Sequence, residues 1–186
     1  MLEGEPLVNS VTWYADRASG IVALLLLTAG VCLGVALAGR ARSTRWPAFA
    51  IEDVHRYLGL LTGTFIGIHG LAILADSVVP YSLGQLLVPG TAPTRTVAVA
   101  AGVVAAELLA ALAITNRLRR KLSFKVWRTA HYLNFLVWAL ALSHGIAAGT
   151  DSGEPWAIYL YVTCAASVAG SLVWRLGRIR PAAALR

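Results

Sequence analysis

Apolar residues in this chain gather in long, nearly unbroken runs. They show neither the alternation of strands nor the one-sided stripe of a helix on a soluble core. Five such runs recur, near residues 18–38, 54–75, 96–115, 129–148 and 156–173. A helix of about 20 apolar residues spans roughly 30 Å of hydrocarbon, and only helices or closed barrels satisfy their backbone there. The pattern predicts an all-α integral membrane protein, a five-helix transmembrane bundle forming one domain over residues 1–186. The polar stretches between the runs are short. Pro47 breaks the first connector, and residues 76–94, with Pro80, Pro89, Gly90 and Pro93, form the longest. The middle of that connector, Tyr81 to Val88, reads as a short surface helix over the mouth of the bundle.

Charge turns the five spans into a topology. Arg40, Arg42, Arg45 and Arg56, the stretch from Arg117 to Arg128, and the tail from Arg175 to Arg186 carry fourteen of the sixteen basic residues. All three segments fall on one side if every run crosses. Arg17 and Arg95 lie opposite, together with six of the nine acids. The positive-inside rule makes the basic side cytoplasmic, so the expectation is N-terminus out, C-terminus in, at the cell membrane.

Composition agrees and removes other classes. The chain is 58% hydrophobic and 13% charged, about half the charge of a soluble domain, and its mean hydropathy is +0.67. A net charge of +7 would suggest nucleic acid in a soluble chain, but these cations cluster at span ends, where topology explains them and no nucleic-acid partner is expected. The first sixteen residues are acidic and lack the basic start and cleavage site of a signal peptide. Trp13 and Tyr14 read as interfacial anchors. Cys32 and Cys164 both fall inside apolar runs and are expected as inert packing residues.

The chemistry lies in the histidines. There are four, and all sit in two runs: His55 and His69 in the second, His131 and His144 in the fourth. Imidazole is costly in hydrocarbon and needs a partner. A single membrane histidine is often a hydrogen-bonding helix contact. Four in two spans that run the same way, at matched depths, form two layers. The fourteen-residue spacing separates the levels by about 21 Å and the thirteen-residue spacing by about 19.5 Å. Two layers of facing imidazoles are what two stacked bis-histidine haems require. The levels lie too far apart for all four to share one zinc ion.

Two features bear on that reading. Fourteen residues return His69 to within about 40° of His55 on an ideal helix, whereas thirteen leave His144 about 140° from His131. Either a kink or π-bulge adjusts the register, or the ligands approach that helix from different sides. In the second span Gly59, Gly63 and Gly67 lie four apart and make one smooth stripe, suited either to helix packing or to a flat macrocycle lying against the backbone.

The histidine spacing, the WRTAHYL of Trp127–Leu133, the SHG of Ser143–Gly145 and the RASGIVALLLL of Arg17–Leu27 together resemble the ferric reductase-like transmembrane domain. That family includes the membrane parts of ferric reductases and NADPH oxidases, and the haem-binding subunit of a methionine sulfoxide reductase system. The resemblance covers about residues 13 to 178. It implies two b-type haems, His55 paired with His131 and His69 with His144 as axial ligands, and electrons passing from a cytoplasmic donor to an outer acceptor. The chain departs from larger members in having five spans where many have six, and in carrying no glycine-rich fingerprint of a flavin or nicotinamide domain. The donor is therefore expected to be a separate cytoplasmic reductase or other carrier, with any flavin supplied by a partner.

Other residues have narrower readings. Arg56, beside His55, either meets a haem propionate or snorkels to the interface; Arg95, Arg128 and Tyr132 are weaker candidates of the same kind. Glu107 stands alone in the third apolar run, where it either carries protons or bonds a neighbouring helix. The basic loop Arg117 to Lys125 docks a reductase or anionic lipid, or serves topology alone. Trp46, Trp138 and Trp174 read as anchors or packing residues. An active site of the chain's own would need an exposed haem edge or an open iron position, and the histidine pairs argue against the open iron. The competing reading is a structural or proton-coupled membrane subunit of a larger assembly, with the histidines as helix glue.

Overall fold

The computed structural model describes residues 5–39 and 47–178. Among the described residues every regular element is helical. The helices are α1 (Glu5–Ala38), α2 (Ala48–Leu74), α3 (Leu83–Leu87), α4 (Thr96–Arg117), α5 (Phe124–His131), α6 (Asn134–Ala148) and α7 (Pro155–Arg178), with a 3₁₀ turn at Arg119–Lys121. Four stretches are long and apolar enough to cross a membrane: Val11–Ala38, Phe49–Leu74, Thr96–Arg117 and Pro155–Arg178. The chain is a multi-pass membrane protein.

The elements differ from the expected runs in two places. The first helix begins at Glu5, well before Ala18, so residues 5–16 of the acidic segment belong to α1, which brings Asp16 into the bundle. The fourth run is not one helix. It divides at Tyr132–Leu133 into α5 and the fifteen-residue α6. The short helix expected between Tyr81 and Val88 is α3, closed at its start by a capping box in which Ser82 and Gln85 bond each other's backbone N–H. Arg40, Arg42, Arg45 and Trp46, and the tail basics Arg180 and Arg186, lie outside the described residues.

Four helices share one core. Leu27 and Val31 of α1, Ala105 and Leu112 of α4, Val137 of α6 and Val168 of α7 are buried together. Cys32 and Trp138 pack against them as expected, and Cys32 and Cys164 are both free thiols. Trp138 also donates its indole N–H to Thr28 Oγ1 at 3.0 Å. Hydroxyls within the spans satisfy themselves locally: Thr28, Thr62 and Ser143 each donate to the carbonyl four residues back, as a low-dielectric surrounding demands.

α2 contributes nothing to that core. It packs along α1, whereas α6 packs along α4, and no extensive packing joins α2 to α6. α1 also packs on α6 and α7, so α2 and α6 are held side by side through α1 and α4, with a gap between those two alone. The gap holds the histidines.

Candidate functional site

Across the gap the imidazoles meet in two pairs. The ring centroids of His55 and His131 are 6.0 Å apart with planes at 70°; those of His69 and His144 are 6.2 Å apart at 80°. Partners occur in the same order along both segments, so α2 and the α5–α6 segment run parallel. Two metal–nitrogen bonds of about 2 Å plus two ring radii of about 1.1 Å place centroids about 6 Å apart, so each pair has the separation of two imidazoles on opposite sides of one metal atom. Among the described residues no group of three or more His, Cys, Asp or Glu side chains converges. The imidazoles thus stand in twos, an arrangement that offers one nitrogen ligand from each side.

The break in the fourth run accounts for its odd spacing. Around it the backbone tightens: Tyr132 N–H reaches the Thr129 carbonyl at 3.2 Å, Leu133 that of Ala130 at 2.9 Å, and Phe135 that of Tyr132 at 3.1 Å. These are bonds to the third residue back. Asn134 seals the corner by donating to the His131 carbonyl at 2.8 Å. Thirteen residues complete four turns at about 3.25 residues per turn, between 3₁₀ and α winding. Tightening therefore moves His144 towards the face that His131 occupies, and the kink re-aims the rest.

Each supporting helix receives the rings on glycine. A β-carbon on Gly20 would lie 3.1 Å from the His69 ring, one on Gly34 3.2 Å from His55, and one on Gly102 2.7 Å from His144. The ring nitrogens complete the seating of the His69–His144 pair. His69 Nδ1 contacts the Asp16 carbonyl at 2.9 Å and Asp16 Oδ1 at 2.7 Å, and His144 Nδ1 contacts the Ala98 carbonyl at 2.8 Å. A carbonyl only accepts, so in both rings Nδ1 carries the hydrogen and Nε2 keeps its lone pair for a metal. The His55–His131 pair is held differently. His55 Nδ1 is buried toward the Gly30 carbonyl without hydrogen-bond geometry. His131 Nδ1 lies a long 3.4 Å from the Asn134 amide, while its ring stacks on Trp127 at 5.3 Å and 23°.

Gly59, Gly63, Gly67 and Gly70 have no atom within 4 Å of where a β-carbon would stand. Helix packing is therefore not what the stripe does among the described residues. At about 100° per residue, Gly59, Gly63 and Gly70 lie within about 80° of His55. They form a smooth open wall beside the imidazoles, the surface that a flat macrocycle ligated by them would need.

The secondary candidates are placed as follows. Arg56 is largely exposed and loosely paired with Asp53 at 3.5 Å. Arg95 caps α6 by donating to the Ala148 carbonyl at 2.6 Å. Arg128 donates to Tyr132 Oη at 3.1 Å, so these two are engaged with each other. Glu107 is exposed on the side of α4 away from Ala98 and Gly102, which face His144. Trp174 stacks under Arg178 at 4.5 Å, as an end-of-span anchor would. Beside the His55–His131 pair, Arg119, Leu122, Phe124 and Trp127 line an open cavity of about 350 Å³.

Sequence reasoning gave no site role to Asp16, Gly102 or Trp127, and read Gly20 and Gly34 only as small residues for close helix contact. One signal was available. Gly20 and Gly34 are fourteen residues apart, as are His55 and His69, and an antiparallel α1 presents each glycine to one ring.

No curated protein and no solved structure matches the chain. The family model described as the ferric reductase like transmembrane component matches residues 19–142, taking in His55, His69 and His131 and ending just before His144. That match covers well over half of the sequence, and the chain belongs to the ferric reductase-like transmembrane family.

Proposed function

We propose that the chain is a di-haem b-type cytochrome domain that carries electrons across the cell membrane from a cytoplasmic donor to an acceptor on the outer side. Five crossings, counting the kinked α5–α6 segment, put the N-terminus outside and the C-terminus in the cytoplasm, by the distribution of basic residues. Domains of this family generally bind haem. The observation that carries the reading to two haems is the pair of imidazole pairs, with centroids 6.0 and 6.2 Å apart, at two levels along parallel segments.

When bound, haem supplies a one-electron iron couple whose potential its axial ligands and their surroundings set. The residues do the rest. His55 and His131 hold the inner group, and His69 and His144 the outer. The glycines of α2 leave the wall smooth. Arg56, exposed beside His55, is available to an anionic substituent. The cavity at Arg119, Phe124 and Trp127 sits on the basic side, where a separate flavin or nicotinamide reductase would approach.

The test is spectroscopic. Purified chain should show a Soret band and a pyridine haemochrome equal to about two haems. His55→Ala and His131→Ala should each remove the same haem and keep the other, and His69→Ala and His144→Ala the converse. A colourless wild type, or single variants that remove neither, would overturn the proposal.

A further inference from the structure

The four imidazoles are alike in sequence and unlike in surroundings. His144 faces a backbone carbonyl, His131 a distant amide, and His55 no hydrogen-bonding partner. His69 alone stands against a carboxylate, with Asp16 Oδ1 2.7 Å from its Nδ1. The N–H is aligned with the Asp16 carbonyl at 2.9 Å. Oδ1 is buried and accepts no aligned hydrogen bond, so it acts on the ring chiefly through its charge. The neighbouring cation is spent elsewhere: Arg17 pairs with Asp151 at 2.6 Å. Among the described residues no Lys or Arg pairs with Asp16.

We infer that Asp16 is a positioning residue for the outer site, fixing His69 as the Nδ1–H tautomer and loading it with negative charge that lowers the reduction potential of the haem it ligates. The inference rests on the di-haem reading. An acceptor on the far nitrogen of a metal-bound imidazole makes the ligand more basic, and a more basic ligand favours the oxidised, more positive metal. A buried charge beside that ligand acts in the same direction and is little screened by salt. At the inner pair no carboxylate contacts either ring among the described residues: Glu52 acts on His55 only at longer range and is itself paired with Arg119 at 4.0 Å, so the device distinguishes two sites that are otherwise built from the same ligands. It makes the outer group the more reducing towards whatever accepts its electron.

The experiment is a redox titration of the full-length purified chain, read at the haem absorption bands, with His144→Ala identifying which component is the outer one. Asp16→Asn keeps size and backbone while removing the charge. The expected result is two haems retained, the outer midpoint potential raised, the inner unchanged, and the outer ferric EPR signal shifted alone. Asp16→Glu should restore most of the wild-type value. Unchanged potentials with both haems bound, or equal shifts in both, would overturn the inference. If Asp16→Asn loses the outer haem, Asp16→Glu decides. Retention there means that the carboxylate holds His69, and loss there too means that the position only packs, which also overturns the inference. A wild type without haem would sink the di-haem reading itself, whereas an indifferent Asp16→Asn in a di-haem protein sinks only this step.

Discussion

The imidazole of His144 occupies the space that a side chain on Gly102 would need: a β-carbon there would lie 2.7 Å from Nδ1 and 2.8 Å from Cγ and Cε1. The ring cannot retreat cheaply, because Nδ1 is also bonded to the Ala98 carbonyl at 2.8 Å. Gly102→Ala should therefore displace His144 and lower haem content from two towards one per chain, measured by pyridine haemochrome. Alanine is otherwise preferred over glycine inside a helix by about 1 kcal/mol. Haem loss without loss of helix content would identify a ligand-seating defect. Gly170→Ala, where nothing lies within 4 Å, is the control and should keep both haems.

The open wall of α2 makes an opposite demand. Nothing in the described protein stands within 4 Å of Gly59 or Gly63, so Gly63→Leu meets no steric obstacle in the haem-free chain. If a macrocycle lies there, the leucine should cost haem while far-ultraviolet circular dichroism and detergent stability hold. Full haem retention in Gly63→Leu would mean that the wall faces lipid.

Among the described residues the His55–His131 pair has no backbone carbonyl bonded to either imidazole and relies on Trp127, stacked on His131 at 5.3 Å and tied by its indole N–H to Asn116 Oδ1 at 2.8 Å. Trp127→Phe keeps an aromatic face and loses that hydrogen bond, a change of about 1 kcal/mol, and should retain both haems. Trp127→Ala removes the support and should release the inner haem faster than the outer on dilution into apomyoglobin. Equal release rates would refute the supporting role.

Arg17 and Asp151 join the N-terminal half of α1 to the turn before α7 at 2.6 Å, both largely shielded from solvent. Asp151→Asn leaves the guanidinium without its counter-charge and should destabilise the protein by about 1–3 kcal/mol, seen as a lower melting temperature in detergent. Arg17→Ala should cost a similar amount. The double variant should cost less than the two together, since partners in contact do not add.

The near-perpendicular rings at 70° and 80° carry a spectroscopic expectation of their own. Crossed imidazole planes leave the two iron d orbitals that bond to them nearly equal in energy, so both ferric centres should give strongly anisotropic low-spin EPR signals. Rhombic signals typical of parallel rings would show that the pairs rotate when the group binds.

The parts legible from the chain alone were those in which solvent, length and spacing impose themselves locally. Runs of apolar residues become helices in hydrocarbon whatever their neighbours do. The capping pair Ser82 and Gln85 closes α3 with adjacent backbone, and four histidines at fourteen- and thirteen-residue intervals divide into two depths because a helix rises uniformly. The parts that were hidden are those decided by what one helix presents to another. Asp16 read as the end of a short acidic segment until α1, begun at Glu5, carried it alongside His69. Gly20, Gly34 and Gly102 are ordinary small residues until an imidazole from elsewhere lands on each. The thirteen-residue spacing looked like a misfit, because an ideal helix does not know that Tyr132 and Leu133 will tighten. Periodicity along one helix says which residues share a face; only the packing of α1 on α2 and of α4 on α6 says what that face meets.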